Sequence, residues 1–255
     1  MGYEIGGIEE AELLILAMDC SGTMEIRDVY GGQRRADVLK ELADGLVDRL
    51  SKSNVALRYR VAPVYFCDSV ESEPYMELRE VKIKHPLDEA FPEKEVLKER
   101  LTCIACALEK AEGILNEFNE GEGLPEEKCA TMFLFTDGQE NVRTPDEVKN
   151  IARKFKAHAT GPSVATIALG TKKEIDPQLL WDISSGSTAQ QRRHLDNADV
   201  LKYVKDSNSR VEESEEDMRL FLWAREEHGS ITKELSEAMR QFVIVLSQSS
   251  ARGEG

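Results

Sequence analysis

The chain has 255 residues, with 48 acidic side chains against 33 basic ones and a formal net charge of -15. That balance argues against a nucleic-acid backbone binder and against attachment to an anionic membrane surface. Its length suits one large domain or one domain with a small insertion, its 41% hydrophobic and 32% charged residues suit a water-soluble fold with an acidic exterior, and no apolar run is long enough to span a bilayer.

The opening, MGYEIGGIEEAE, has neither a basic n-region nor an apolar h-region, so it does not read as a secretory signal. Gly6 stands where a myristoylation motif needs Ser or Thr. Residues 1–10 read as an N-terminal extension, 11–250 as one domain and 251–255 as a disordered tail. The five cysteines, Cys20, Cys67, Cys103, Cys106 and Cys129, lie in or beside apolar segments. Such usage suits reduced thiols in a cytoplasm better than a disulfide framework.

Residues 11–19, AELLILAMD, are apolar without alternation, the pattern of a strand buried on both faces of a parallel sheet. Residues 35–50 place Val38, Leu39, Leu42, Leu46, Val47 and Leu50 on one helical face. A second strand is expected over 56–67, ALRYRVAPVYFC, and a third over 75–83, YMELREVKI, antiparallel to it across the loop 68–74. Pro63 lacks the amide that a central strand needs, which predicts a bulge or break there. Two helical pieces, 93–101 and 104–118, meet at an interruption near Leu101 and Thr102. Residues 129–138, CATMFLFTDG, form a strand that ends on an aspartate. Thr144 and Pro145 announce a helix over 144–158.

Strand 163–170 and helix 176–185 continue the alternation, and 200–204, VLKYV, reads as the last strand. Residues 186–197 and 204–217 look like insertions. The segment 218–226, MRLFLWARE, reads as helical and leads into a long terminal helix over 231–248. Trp181 and Trp223 are thus expected in helix-borne core positions. Strand–helix alternation of this kind implies a doubly wound, Rossmann-like α/β three-layer sandwich, mostly parallel with one antiparallel edge strand.

Ligands of such sheets collect at the carboxyl ends of the strands, and both Asp19 and Asp137 lie at such ends. In DCSGT, Asp19, Ser21 and Thr23 alternate, so an extended loop can turn them inward together. Thr102 lies at a loop-to-helix junction from which its hydroxyl could face the same crevice. Asp19, Ser21, Thr23, Thr102 and Asp137 make an all-oxygen donor set, suited to Mg²⁺ or Mn²⁺.

Asp-x-Ser-Gly-Thr, then a threonine before an Ala-Leu-rich helix, then Thr-Asp-Gly, resembles the metal-ion-dependent adhesion site of von Willebrand factor A domains. Among relatives the chain looks most similar to stand-alone bacterial A-domain proteins of the tellurite-resistance type. The resemblance implies that Ser21, Thr23 and Thr102 bind the metal through hydroxyls, while Asp19 and Asp137 bind directly or through water. One position is left for an Asp or Glu of a partner protein. It also implies an intracellular adaptor, without turnover, in an assembly with an ATPase, kinase or phosphatase, and a terminal helix that moves when the open position is filled. Two departures stand out. Thr23 replaces a more usual serine, and Arg100 and Leu101 precede Thr102 where the family has glycines.

Other chemistries find less support. Cys103 and Cys106 form a Cys-x-x-Cys pair at a helix start, where a thiol pKa can fall, but no thioredoxin-like context or second pair for zinc accompanies it, so packing is the expected role. His85, His158, His194 and His228 are scattered, and no nucleophile elbow, Walker loop or dinucleotide fingerprint occurs. Two aspartates beside a metal could serve phosphoryl hydrolysis, yet no lysine or second acidic cluster completes such a site. A metal-dependent hydrolase and a scaffold with a silent metal site are the alternatives.

Overall fold

A strand that is apolar at successive positions needs cover on both faces, and β1 (Glu10–Asp19) is buried from Ala11 to Asp19. The structure, a computed structural model, describes residues 10–91, 100–212, 218–225 and 230–249. Among these the chain continues through α1 (Arg35–Ser51), β2 (Tyr59–Phe66), β3 (Val70–Ser72), β4 (Met76–Glu77), α2 (Ile104–Glu120), β5 (Glu127–Thr136) and α3 (Pro145–Lys156). It then runs through β6 (Ser163–Leu169), α4 (Pro177–Ile183), α5 (Ala189–Asn197), α6 (Leu201–Ser209), β7 (Phe221–Ala224) and α7 (Lys233–Ser249). The sheet order is β3-β2-β1-β5-β6-β7, with β4 also beside β2. Neighbours are parallel except β3 and β4, which pair antiparallel with β2. This is the expected three-layer α/β sandwich with an antiparallel edge.

Central β1 divides the core by its period of two. Leu14, Leu16 and Met18 pack with Val38 and Leu39 of α1 and Phe242 of α7. Leu13, Ile15 and Ala17 face Leu108 of α2, Phe155 of α3 and Leu180 of α4. Burying one such large side chain contributes roughly 2 kcal/mol, against the few tenths by which helix propensity separates most residues. The apolar stripes, more than propensity, therefore hold the helices in place. No helix among the described residues is long and apolar enough to cross a membrane.

Several expectations are corrected. Pro63 causes no bulge in β2, whose register against β1 runs unbroken through Leu16 and Pro63. The break falls in the partner instead: the third strand, expected over 75–83, is two short pieces, β3 at Ser72 opposite Val64 and β4 at Met76 opposite Val61. The Pro63 carbonyl accepts from the Glu73 amide between them, so the nitrogen side of Pro63 faces a gap that asks for no donor.

Residues 200–204 are not the last strand. They enter α6, which buries Val204, Ser207 and Asn208 at helical spacing. The last strand is β7, inside the segment read as helical. Phe221 and Trp223 point to one core layer and Leu222 and Ala224 to the other. A short apolar run does not reveal its period, so only pairing with β6 separates strand from helix. Residues 186–197, read as an insertion, contain α5, started by a capping box between Thr188 and Gln191.

The helix expected over 93–101 falls mostly on residues 92–99, outside the described residues. His228, the tail 251–255 and all of the N-terminal extension except Glu10 also lie outside them. Cys103 and Cys106 are joined as a disulfide, with Cα atoms 5.3 Å apart, whereas Cys20, Cys67 and Cys129 are not disulfide-bonded. Reduced thiols were expected for all five. The turn at the head of α2 brings two cysteines three residues apart within bonding reach.

Candidate metal centre

Because β1 and β5 are direct neighbours, with Met18 opposite Phe135, Asp19 and Asp137 leave the sheet side by side. Both are fully buried, and Ser21 and Thr102 are nearly so. Thr23 is exposed at the mouth. Asp19 turns its loop back on itself by accepting from the Ser21 amide at 2.7 Å. Its other oxygen accepts from the Thr136 hydroxyl at 2.6 Å. Two hydroxyls converge on one oxygen of Asp137: Thr23 at 2.8 Å and Ser21 at 3.4 Å. The Ser21 and Thr23 oxygens are 3.2 Å apart.

Thr102 arrives from a third segment. Its backbone is bonded both ways to Asn141, carbonyl to amide at 3.0 Å and amide to side-chain oxygen at 3.3 Å. A Cβ on Gly138 would lie 2.5 Å from the Thr102 hydroxyl oxygen, so the glycine of Thr-Asp-Gly is what lets that hydroxyl approach. Ser21, Thr23 and Thr102 together line a cleft of about 470 Å³, with Leu101, Lys173 and Glu174 also in its wall. Of the five residues expected at the site, Ser21, Thr23 and Thr102 line the cleft, Asp137 lies beneath it in hydrogen-bond contact with Ser21 and Thr23, and Asp19 is held by the Ser21 amide and the Thr136 hydroxyl. Gly138→Ala is expected to lower divalent-metal affinity roughly tenfold, as loss of a supporting contact does, and by about as much as Thr102→Val. Calorimetric titration of both variants checks this, and unchanged affinity in both would remove Thr102 from the donor set.

Burial, and then the Asp137 charge, push the Asp19 carboxyl up to about 7 against the hydrogen bonds of Thr136 and Ser21. Burial also raises the Asp137 carboxyl, opposed by Arg35, Thr23 and Ser21. Two buried carboxylates driven toward neutrality, beside hydroxyls with spare lone pairs, are a fit for a hard divalent cation. Among the described residues no group of three or more His, Cys, Asp or Glu side chains could hold a metal, so any metal here depends on the hydroxyls.

Arg35 went unread in the sequence as part of the site. It is fully buried and reaches Asp137 at 3.0 Å, on the oxygen that the hydroxyls do not use. The same guanidinium binds Asp28 through two nitrogens, at 3.0 and 2.5 Å, and Glu174 at 3.0 Å. Burial works against its charge, but the bonds to Asp28 and the charge of Asp137 outweigh it and raise the pKa. Gly170, at φ +112°, leaves the room: a Cβ there would meet the guanidinium at 2.9 Å. A signal was available, since Arg35 occupies the first position of the apolar stripe that continues through Val38, Leu39 and Leu42. A charge on the buried face of a helix requires a partner.

The model of the von Willebrand factor type A domain matches residues 14–208. Proximal thread matrix protein 1 from the mussel byssus, solved with zinc occupying its MIDAS motif, is 20% identical with a TM-score of 0.56. That match covers 93% of this chain and 48% of the mussel chain, so the chain spans about half the length of that relative. BatB from Bacteroides thetaiotaomicron is 15% identical at a TM-score of 0.51, covering 95% of this chain and 100% of its own. A von Willebrand factor type A structure from Catenulispora acidiphila is 13% identical at 0.53, covering 92% and 42%. No curated protein matches the chain. At these identities the structural likeness carries the fold, and it does not reach the narrower similarity to tellurite-resistance proteins. The matched family model spans well over half of the sequence and agrees with the sheet and crevice described above: the chain belongs to the von Willebrand factor type A domain family.

Proposed function

We propose that this domain holds Mg²⁺ or Mn²⁺ in the crevice and uses it to bind a carboxylate of a partner protein, without turnover. Ser21, Thr23 and Thr102 supply neutral hydroxyl oxygens, and Asp19 and Asp137 supply carboxylates, directly or through water. The observation that carries the reading is the convergence of the Thr23 and Ser21 hydroxyls on one oxygen of Asp137, more than a hundred residues away in sequence. The zinc-occupied MIDAS motif of the mussel protein supports a divalent cation at this place in the fold. All-oxygen donors favour a harder ion than zinc.

A bound cation supplies a Lewis-acidic position to an incoming carboxylate. The chain's own part is to keep that cation under-neutralised. Three of the five donors are uncharged, and Arg35 already occupies half of Asp137. An acidic protein can in this way bind an acidic side chain locally. The partner is an Asp- or Glu-presenting protein, and the domain acts as an adaptor in a larger assembly that includes an ATPase, kinase or phosphatase. The disulfide removes the argument from reduced thiols, and the binding reading does not depend on a cytoplasmic address.

Partner capture in Mg²⁺ buffer is expected to be lost with EDTA and with Asp19→Ala alike. Capture indifferent to both would leave a scaffold with a silent site. Incubation with p-nitrophenyl phosphate and Mg²⁺ is expected to give no turnover, and turnover abolished by Asp19→Ala would instead establish the hydrolase.

A further inference from the structure

The strongest chemistry that the metal reading leaves unused lies one residue beyond Thr102. We propose that the Cys103–Cys106 disulfide is a thiol–disulfide exchange site for a protein dithiol, and that its state sets how firmly Thr102 is held at the metal centre. The second half rests on the metal-binding reading.

Cys103 is fully buried at the N-cap of α2, while Cys106 is half-buried on the first turn. The sulfur within reach of an incoming thiolate is therefore that of Cys106. The Cys106 amide points at the Cys103 sulfur from 3.2 Å, at the positive end of a 17-residue helix. A sulfur leaving as thiolate is stabilised in that position.

The exchange balances as two displacements. One thiolate of the reductant attacks the Cys106 sulfur, forms a mixed disulfide and expels Cys103 as a thiolate, which takes up a proton from water. The reductant's second thiol, as thiolate, then attacks its own sulfur in the mixed disulfide and releases Cys106, which is protonated in turn. The domain gains two electrons and two protons as a dithiol, and the reductant becomes a disulfide. A bridge between residues three apart constrains little of the unfolded chain, so a purely stabilising role does not explain it well.

The coupling runs through the backbone. The Cys103 amide donates to the Cys67 carbonyl at 3.0 Å, at the end of β2. The Thr102 backbone is stitched to Asn141, and the Ala105 amide to Glu140 at 3.1 Å. Residues 102–105 therefore form one strap across the crevice, with the disulfide pinning its helix end. Opening the bridge frees the Cys103 side chain and loosens the turn that presents the Thr102 hydroxyl to Gly138.

The test uses the full chain, air-oxidised or reduced with a thioredoxin under argon, titrated with Mn²⁺ alone and followed by the loss of the free-ion paramagnetic resonance signal. Circular dichroism confirms that both forms are folded. One thioredoxin should be oxidised per chain, alkylation of the exchange intermediate should leave the mixed disulfide on Cys106, and the reduced form should bind Mn²⁺ roughly tenfold more weakly. The Cys103→Ser/Cys106→Ser variant should bind as the reduced form does and ignore the reductant. A bridge that resists thioredoxin in the folded protein, or equal Mn²⁺ affinity in the two states, overturns the proposal. If neither state binds Mn²⁺, the metal reading fails and the proposed coupling with it, while thioredoxin oxidation still decides the exchange step.

Discussion

Arg35→Met is expected to cost the fold about 3–5 kcal/mol, read as a lower urea midpoint with an unchanged slope. Methionine keeps much of the volume in the Arg35 channel but removes the cation that Asp28, Asp137 and Glu174 share. Asp137 is fully buried and Asp28 nearly so, so both are left as uncompensated charges in a poor solvent for them. Arg35→Lys should recover only part of the loss, because one ammonium cannot present the fork that meets three carboxylates. Adding Asp28→Leu to Arg35→Met should recover only part of the loss, since it removes one carboxylate left without its cation while the fully buried Asp137 still lacks one. A single-variant loss below about 1 kcal/mol, on the scale of an exposed pair, would show that the network relaxes and does not brace the site.

In metal-free protein, thermal stability is expected to fall as pH rises from about 4 to about 7. Asp19 has a folded-state pKa of about 7 against 3.8 as a free side chain. Between those values the folded state holds a proton that the unfolded state has lost. Stability is therefore fully present below the lower value and is lost as pH rises through the upper one. Asp137, raised by burial, acts in the same sense. Asp37, lowered to about 2, works in the opposite sense, but its window lies below 4.

In the proposed metal-binding reading the cation displaces the Asp19 proton, so affinity for Mg²⁺ should weaken by about tenfold per pH unit below 7. Excess Mg²⁺ should flatten the stability profile. Melting curves from pH 4 to 8 in EDTA and in Mg²⁺, for the native chain and for Asp19→Asn, read both effects. A flat profile in EDTA, or the same slope in Asp19→Asn, would assign the titration elsewhere.

The readable parts of the sequence share a physical origin. β1 carries an apolar run over residues 13–18, long enough to mean burial on both faces, and α1 and α7 are long enough for a 3.6-residue stripe to repeat. The cap at Thr144 and Pro145, reinforced by Glu147, marks α3 because capping is decided within one turn. Short or partnered features were harder. Four residues of β7 do not reveal their period, and Pro63 reads as a defect of its own strand because the gap between β3 and β4 cannot be seen along the chain.

By itself, the sequence determined the layer architecture, which depends on local periodicity, and it placed Asp19 and Asp137 at strand ends as candidate site residues. Tertiary structure alone decided that β7 closes the sheet, that Arg35 and Thr136 each take an oxygen of the paired aspartates, and that Cys103 is bonded to Cys106. These are choices of partner. Arg35 lies 102 residues from Asp137 and 139 from Glu174, and no pattern along the chain says which carboxylates a buried cation will find once the helices have docked.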